Sequence, residues 1–139
     1  MLNSEKVNEL MKKAKEASNN AHSPYGNFGV GAALLTKDGK IYTGCNVENH
    51  GIQSICAERV AFTKAISEGE PSDNKANYVA IMVVGHVLGT EDFVQTLPCG
   101  YCRQFISEFV NPDFKIFTCV GSEIEEHTLS ELLPLGFEF

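Results

Sequence analysis

The stretch Ser54-Ile55-Cys56-Ala57-Glu58-Arg59-Val60-Ala61-Phe62-Thr63-Lys64-Ala65-Ile66-Ser67-Glu68-Gly69 contains the start, body and end of one helix. Helical spacing predicts a helix over Cys56–Glu68, with Val60, Ala61 and Ala65 facing inward, Gly69 as its C-terminal cap and Pro71 as a stop. Cys56 then sits at the positive end of the helix dipole, which favours thiolate over thiol. A second cysteine pair follows in Pro98-Cys99-Gly100-Tyr101-Cys102-Arg103, where Cys102, Phe105, Ile106, Phe109 and Val110 keep the rhythm of another half-buried helix. If the two helix starts meet, Cys56, Cys99 and Cys102 present three soft ligands. That set suits tetrahedral Zn²⁺, and three protein ligands leave a fourth position for water, whose pKa falls to about 7. Glu58 follows Cys56 by two residues, so on the first turn its carboxylate points away from the sulfur and flanks the metal, placed to move protons. Three thiolates around Zn²⁺ leave a net negative charge that Arg59 could offset by donating to sulfur.

Working outward, Ser4 is read as the cap of a first helix carrying the stripe Val7, Leu10, Met11 and Ala14. Ser18–Asn27 reads as a loop that could present Tyr25 and Phe28. Val30–Thr36, the turn Lys37-Asp38-Gly39-Lys40 and Ile41–Val47 form a predicted β-hairpin. Asn46 and Glu48 alternate with Val47, so an extended backbone puts them on one face, either as a solvated strand end or as hydrogen-bonding groups for a sugar diol. Tyr78–Val84 is expected to be a central strand covered on both faces, Gly85–Leu97 a loop, and Lys115–Val120 a further strand. Thr128 and Glu131 form a predicted capping box for a short helix ending at Pro134, after which Phe137 and Phe139 close the chain. Strands alternating with helices predict one α/β domain over residues 1–139, a three-layer α/β/α sandwich around a mixed sheet of about five strands.

A net charge of −7, with the eleven Lys and Arg unclustered, argues against nucleic acid as a partner. No apolar run approaches the roughly 20 residues of a membrane-spanning helix, so no membrane partner is expected. Five cysteines and no apolar leader suit a reducing compartment, the cytoplasm. Taken alone, Cys99-Gly100-Tyr101-Cys102 would also fit a dithiol redox motif, but that leaves Cys56-Ala57-Glu58 unexplained. A four-cysteine structural zinc site using Cys45 is a further alternative; otherwise Cys45 and Cys119 read as small buried strand residues. His22, His50, His86 and His127 share no ligand spacing with the cysteines and are expected on surfaces or loops.

Cys56-Ala57-Glu58 followed by Pro98-Cys99-Gly100-Tyr101-Cys102 is a three-cysteine form of the signature of zinc deaminases. Together with Ser23-Pro24-Tyr25-Gly26-Asn27-Phe28, Val30-Gly31-Ala32-Ala33-Leu34, Gly44-Cys45-Asn46-Val47-Glu48-Asn49 and the closing Glu131-Leu132-Leu133-Pro134, it resembles the small homotetrameric cytidine deaminases from about residue 5 onward. The resemblance implies hydrolytic deamination of cytidine and 2′-deoxycytidine to uridine and 2′-deoxyuridine with release of ammonia, in pyrimidine salvage, with one Zn²⁺ per chain. It implies Cys56, Cys99 and Cys102 as metal ligands and Glu58 as proton shuttle, with Arg59 and Gln104 hydrogen-bonding around that centre. Phe28 would face the pyrimidine and Asn46 and Glu48 the ribose. Ala57 would line the substrate site, and Phe137 would enter it from a neighbouring subunit. The alternative substrate is a related aminopyrimidine nucleoside, such as a nucleoside antibiotic or a modified cytidine.

The chain departs from that pattern in two places. Asn49–Ile55 is one residue shorter than is common in similar proteins and lacks a tyrosine found there, which leaves the wall around the sugar 5′ end in doubt. His50 in this segment is either a solvent-facing loop residue or a contact to the 5′-hydroxyl. The Gly85–Leu97 loop looks several residues longer than usual.

Overall fold

The computed structural model describes residues 2–139. Helix α1 spans Ser4–Ser18 and is capped by Asn3, whose side chain accepts from the Lys6 N–H at 2.8 Å. Ser4 is therefore the first helical residue rather than the cap: Asn3 has the extended backbone that a capping side chain needs. Strands β1 (Phe28–Thr36) and β2 (Ile41–Cys45) form the expected hairpin, with Gly39 at φ +88 in its turn. Helix α2 runs Ala57–Ser67, and Gly69, at φ +108, donates its N–H to the Ile66 carbonyl. Strand β3 (Tyr78–Val87) is followed by the short β4 (Phe93–Val94), helix α3 (Gly100–Ser107), β5 (Lys115–Val120), β6 (Glu123–Thr128) and α4 (Leu129–Leu132).

The sheet order is β2-β1-β3-β5-β6, with β4 also paired to β3. The β3–β5 pair is parallel and the others are antiparallel, so the sheet is mixed. Its two faces follow the period of two in the strands. Ala32, Leu34, Ile81 and Val83 pack under α2 and α3 with Phe62 and Ile106, whereas Ala33, Leu35, Ala80, Met82 and Val84 pack under α1 with Leu10 and Ala14. This is the three-layer α/β/α arrangement, with α1 alone on one face.

Two expectations are corrected here. Gly85–Leu97 is not a plain loop: β3 continues to Val87, and β4 folds back so that Gly85 pairs with Val94 and His86 with Phe93. His86 is accordingly not a surface or loop residue. It is buried on β3, stacked on Phe93 at 4.3 Å, with Nε2 3.0 Å from Ser18 Oγ and Nδ1 2.8 Å from the Thr90 carbonyl. Single-residue chemistry suggests exposure for histidine, but two polar partners and a ring face make burial tolerable. The capping box is as expected: Thr128 Oγ1 accepts from the Glu131 N–H at 3.2 Å, and Glu131 Oε1 accepts from the Thr128 N–H at 2.7 Å.

Two glycines let the helices sit directly on the sheet. A Cβ at Gly31 would overlap the Ala14 carbonyl of α1, and one at Gly44 would lie 2.6 Å from the Ala57 carbonyl oxygen and 2.8 Å from the Ala61 nitrogen of α2. Both obstacles are backbone atoms and cannot rotate away. Gly44→Ala should therefore lift the start of α2 from the sheet and lower stability by about 1–3 kcal/mol, measured as a fall in Tm or denaturation midpoint.

Candidate metal and catalytic site

Cys56 is the N-cap of α2 (φ −81, ψ 153) and Cys99 the N-cap of α3 (φ −68, ψ 169). Neither makes a side-chain capping bond, so both thiols remain available at positive helix ends. Cys102 lies inside the first turn of α3 and is fully buried. The three Sγ atoms lie within 4.8 Å of one another. The Cys102 thiol hydrogen-bonded to Cys56 draws the Cys56 pKa down to about 5, helped by Arg59 and opposed by burial. The same shared proton, together with burial, pushes the Cys102 thiol up. A divalent cation that accepts sulfur ligands can take the place of the proton between Cys56 and Cys102. The donor set, its convergence and the paired helix ends fit zinc.

All five cysteines are free thiols. Cys45 and Cys119 stand outside the cluster, Cys119 buried on β5 and Cys45 at the end of β2, and burial pushes both thiols up. The four-cysteine alternative is therefore not assembled among the described residues.

Glu58, on the first turn of α2, is 3% exposed. Burial is the largest cause of its pKa rising to about 7, with the adjacent Cys56 adding to the shift. A carboxyl balanced near neutrality can both take and give a proton. Arg59 Nη2 donates to Cys56 Sγ at 3.7 Å and to the Ser54 carbonyl at 3.3 Å, so the guanidinium does reach a metal-ligand sulfur. Its other face lies over the Tyr101 ring, with Cζ 4.3 Å from the ring centroid.

The segment Asn46–Glu48 is extended. Val47 bridges His22 on one side and Ile55 on the other, and the Ile55 connection leads into Cys56. Glu48 is held by three donors: Ser23 Oγ at 2.7 Å, the Tyr25 N–H at 3.0 Å and the Gly26 N–H at 3.2 Å. These bonds, the one from Ser23 first, hold its carboxyl below the usual range. The Asn46 amide is tied to β1, accepting from the Val30 N–H at 2.8 Å and donating to the Phe28 carbonyl at 3.0 Å. One N–H and one lone pair of the amide stay unused. Phe28 opens β1; its ring lies against Gly85 of β3, where a Cβ would come within 2.7 Å of it. Ala57 is fully buried at the start of α2 and belongs to the core.

Two residues are placed differently from the others. Gln104 does not turn to the cysteines: its Nε2 donates to the Phe137 carbonyl at 2.9 Å, and its Oε1 accepts from the Phe137 N–H at 3.3 Å. Lying two residues after Cys102, it leaves α3 on a different side, and the tail offers a matching backbone pair. Phe137 itself is 67% exposed and meets Phe139 edge-on at 5.4 Å. His50 lies exposed in the Asn49–Ile55 turn, where Asn49 Oδ1 accepts from the Gln53 N–H at 2.8 Å. Sequence reasoning assigned no role to Ser23, Tyr101 or Arg103. Ser23 joins Glu48 to Phe28, whose N–H donates to its Oγ at 3.0 Å, and Arg103 ties the Pro98 carbonyl (2.6 Å) to that of Leu132 (2.8 Å). Only the Ser-Pro turn preceding an aromatic hinted at the first of these.

A mixed sheet carrying three convergent thiols and a buried carboxyl at two helix starts defines the zinc-dependent hydrolases that deaminate nucleobases. The family model for the cytidine and deoxycytidylate deaminase zinc-binding region matches residues 4–118, and the chain belongs to this family. It is 43% identical over 133 residues to the cytidine deaminase of Sporosarcina psychrophila, covering 94% of this chain and 90% of that one. To the cytidine deaminase of Halalkalibacterium halodurans it is 44% identical, covering 92% and 91%. A cytidine deaminase structure from Burkholderia pseudomallei superposes with a TM-score of 0.82 at 36% identity, covering 98% of this chain and all of that one. The blasticidin-S deaminase of Bacillus cereus is 31% identical, covering 78% and 76%.

The purified protein should carry close to one zinc per chain by elemental analysis. Cys56→Ala, Cys99→Ala or Cys102→Ala should lose it, and Cys45→Ala and Cys119→Ala should keep it; zinc loss in Cys45→Ala would contradict the three-sulfur site.

Proposed function

We propose that the protein hydrolyses cytidine and 2′-deoxycytidine to uridine and 2′-deoxyuridine, releasing ammonia, in pyrimidine salvage. The observation that carries this reading is the buried Glu58 carboxyl, poised near neutrality beside three converging thiols. Relatives of more than 40% identity over nearly the whole chain carry the name cytidine deaminase, which favours this substrate over the antibiotic substrate of the more distant blasticidin-S deaminase.

Zinc held by Cys56, Cys99 and Cys102 would supply a water acidic enough to act at neutral pH. Glu58 takes a proton from the attacking water and passes it to N3 of the pyrimidine, so that negative charge does not build up on the ring. It then relays the second proton to the amino group on C4. The C4–N bond breaks, C4 keeps the oxygen as a carbonyl, and the two protons of water end on N3 and in ammonia. Burial serves both transfers, because it keeps solvent from supplying or draining the proton between them. Glu48 and Asn46 hold the ribose hydroxyls with the hydrogen-bonding capacity their backbone contacts leave free. Phe28 covers the base, while the buried Ala57 backs the site from the core at the start of α2.

Assembly belongs to the same proposal. Leu135, Phe137 and Phe139 are all exposed at the end of the chain, more apolar surface than a monomer normally leaves in water. A homotetramer of closed symmetry would cover them and bring Phe137 to a neighbouring subunit's site. The free thiols suit a reducing cytoplasm, and among the described residues no helix is long and apolar enough to cross a membrane.

Glu58→Gln keeps the shape of the carboxyl but cannot shuttle a proton. It should retain zinc and fold while kcat on cytidine falls by about 10²–10⁴-fold or more; near-normal turnover would refute the assignment. Light scattering of the wild type at micromolar concentration should give a mass near four times the 15.2 kDa chain, and a monomer would contradict the shared site.

A further inference from the structure

Arg59 and Tyr101 stand on the two helices whose starts bring the cysteines together. Tyr101 lies between Cys99 and Cys102 on α3, and its side chain is 67% exposed, belonging to neither hydrophobic core. Its ring nevertheless faces the Arg59 guanidinium of α2 at 4.3 Å from the centroid. On the sulfur side Arg59 donates from Nη2 to Cys56 Sγ at 3.7 Å and to the Ser54 carbonyl at 3.3 Å, with Cys102 as a further hydrogen-bonding neighbour. Its Nε is buried with no hydrogen-bond partner. The two contacts from Nη2 are long, so these polar bonds by themselves hold the guanidinium plane loosely.

We propose that Tyr101 is a positioning residue for the metal centre, its ring face holding the Arg59 guanidinium against the cysteine sulfurs and thereby setting how firmly the site retains zinc. The ring quadrupole attracts the cation and so restrains the guanidinium at the sulfurs. Because the stack spans α2 and α3, it also fastens the helix start bearing Cys56 to the one bearing Cys99 and Cys102. The negative charge of three thiolates around Zn²⁺ then stays paired with a cation that cannot drift away.

The inference rests on zinc at the three cysteines, and the test reads zinc rather than turnover. The zinc-loaded wild type, Tyr101→Ala, Tyr101→Phe and Arg59→Ala proteins, and the Tyr101→Ala/Arg59→Ala double variant, are challenged with a chromogenic chelator and the rate of zinc transfer is followed. Tyr101→Ala should release zinc about three- to fivefold faster, the size expected of one partly exposed cation–π contact. Tyr101→Phe, which keeps the ring, should match the wild type. In the Arg59→Ala background, removing Tyr101 should add nothing. Wild-type release from Tyr101→Ala, equal acceleration in the Phe and Ala variants, or a further acceleration in the double variant would each overturn the proposal. If none of the proteins, wild type included, is isolated with zinc, it is the assignment of the metal centre that fails.

Discussion

Three thiols within 4.8 Å of one another cannot all ionise without positive charge to oppose them. This requirement organises the site. Two helices point their N-termini at the cluster, so backbone dipoles supply part of the charge before any metal is considered. Arg59 brings a full positive charge from the next position of the same α2 turn that carries Glu58. The metal completes the balance, which is why the sulfur set and the zinc of this family belong together. Helix α2 can bring Cys56 this close to the sheet because Gly44 lacks the side chain that would hold the helix off.

Within this frame the same burial acts in opposite directions on neighbouring groups. It raises the Glu58 carboxyl towards neutrality, while hydrogen bonds from Cys102 and Arg59 outweigh burial at Cys56 and keep its sulfur anionic. Two positions at the start of one helix, Cys56 and Glu58, thus acquire the separate characters of metal ligand and proton carrier. Their difference arises from partners, since both are acidic groups removed from water.

The groups on the substrate side are held no less firmly. The Asn46 amide is bonded to β1, and Glu48 is wrapped by the turn from Ser23 to Gly26. A carboxylate already oriented by three donors loses little freedom on meeting a sugar hydroxyl, which is the advantage of preorganisation. Ser23 links this clamp to Phe28, so the residues proposed for base and ribose are joined by one chain of hydrogen bonds.

The amino-acid order determined the features that depend on near neighbours: the apolar rhythm of α1, α2 and α3, the hairpin around Gly39, the Thr128 capping box, and the cysteines at two helix starts. Helix caps and turns are set within a few residues, and the metal motif is compact enough to be legible. The layered fold followed from the alternation of those elements. Tertiary structure alone decided which distant groups meet. It buried His86 between Ser18, Thr90 and Phe93, turned Gln104 to the tail, folded β4 back on β3 and laid Tyr101 on Arg59. Each of these contacts joins positions whose separation in space depends on sheet order and on how closely the helices approach. No local propensity encodes that distance, and a polar side chain reveals its role only once its partner is within reach.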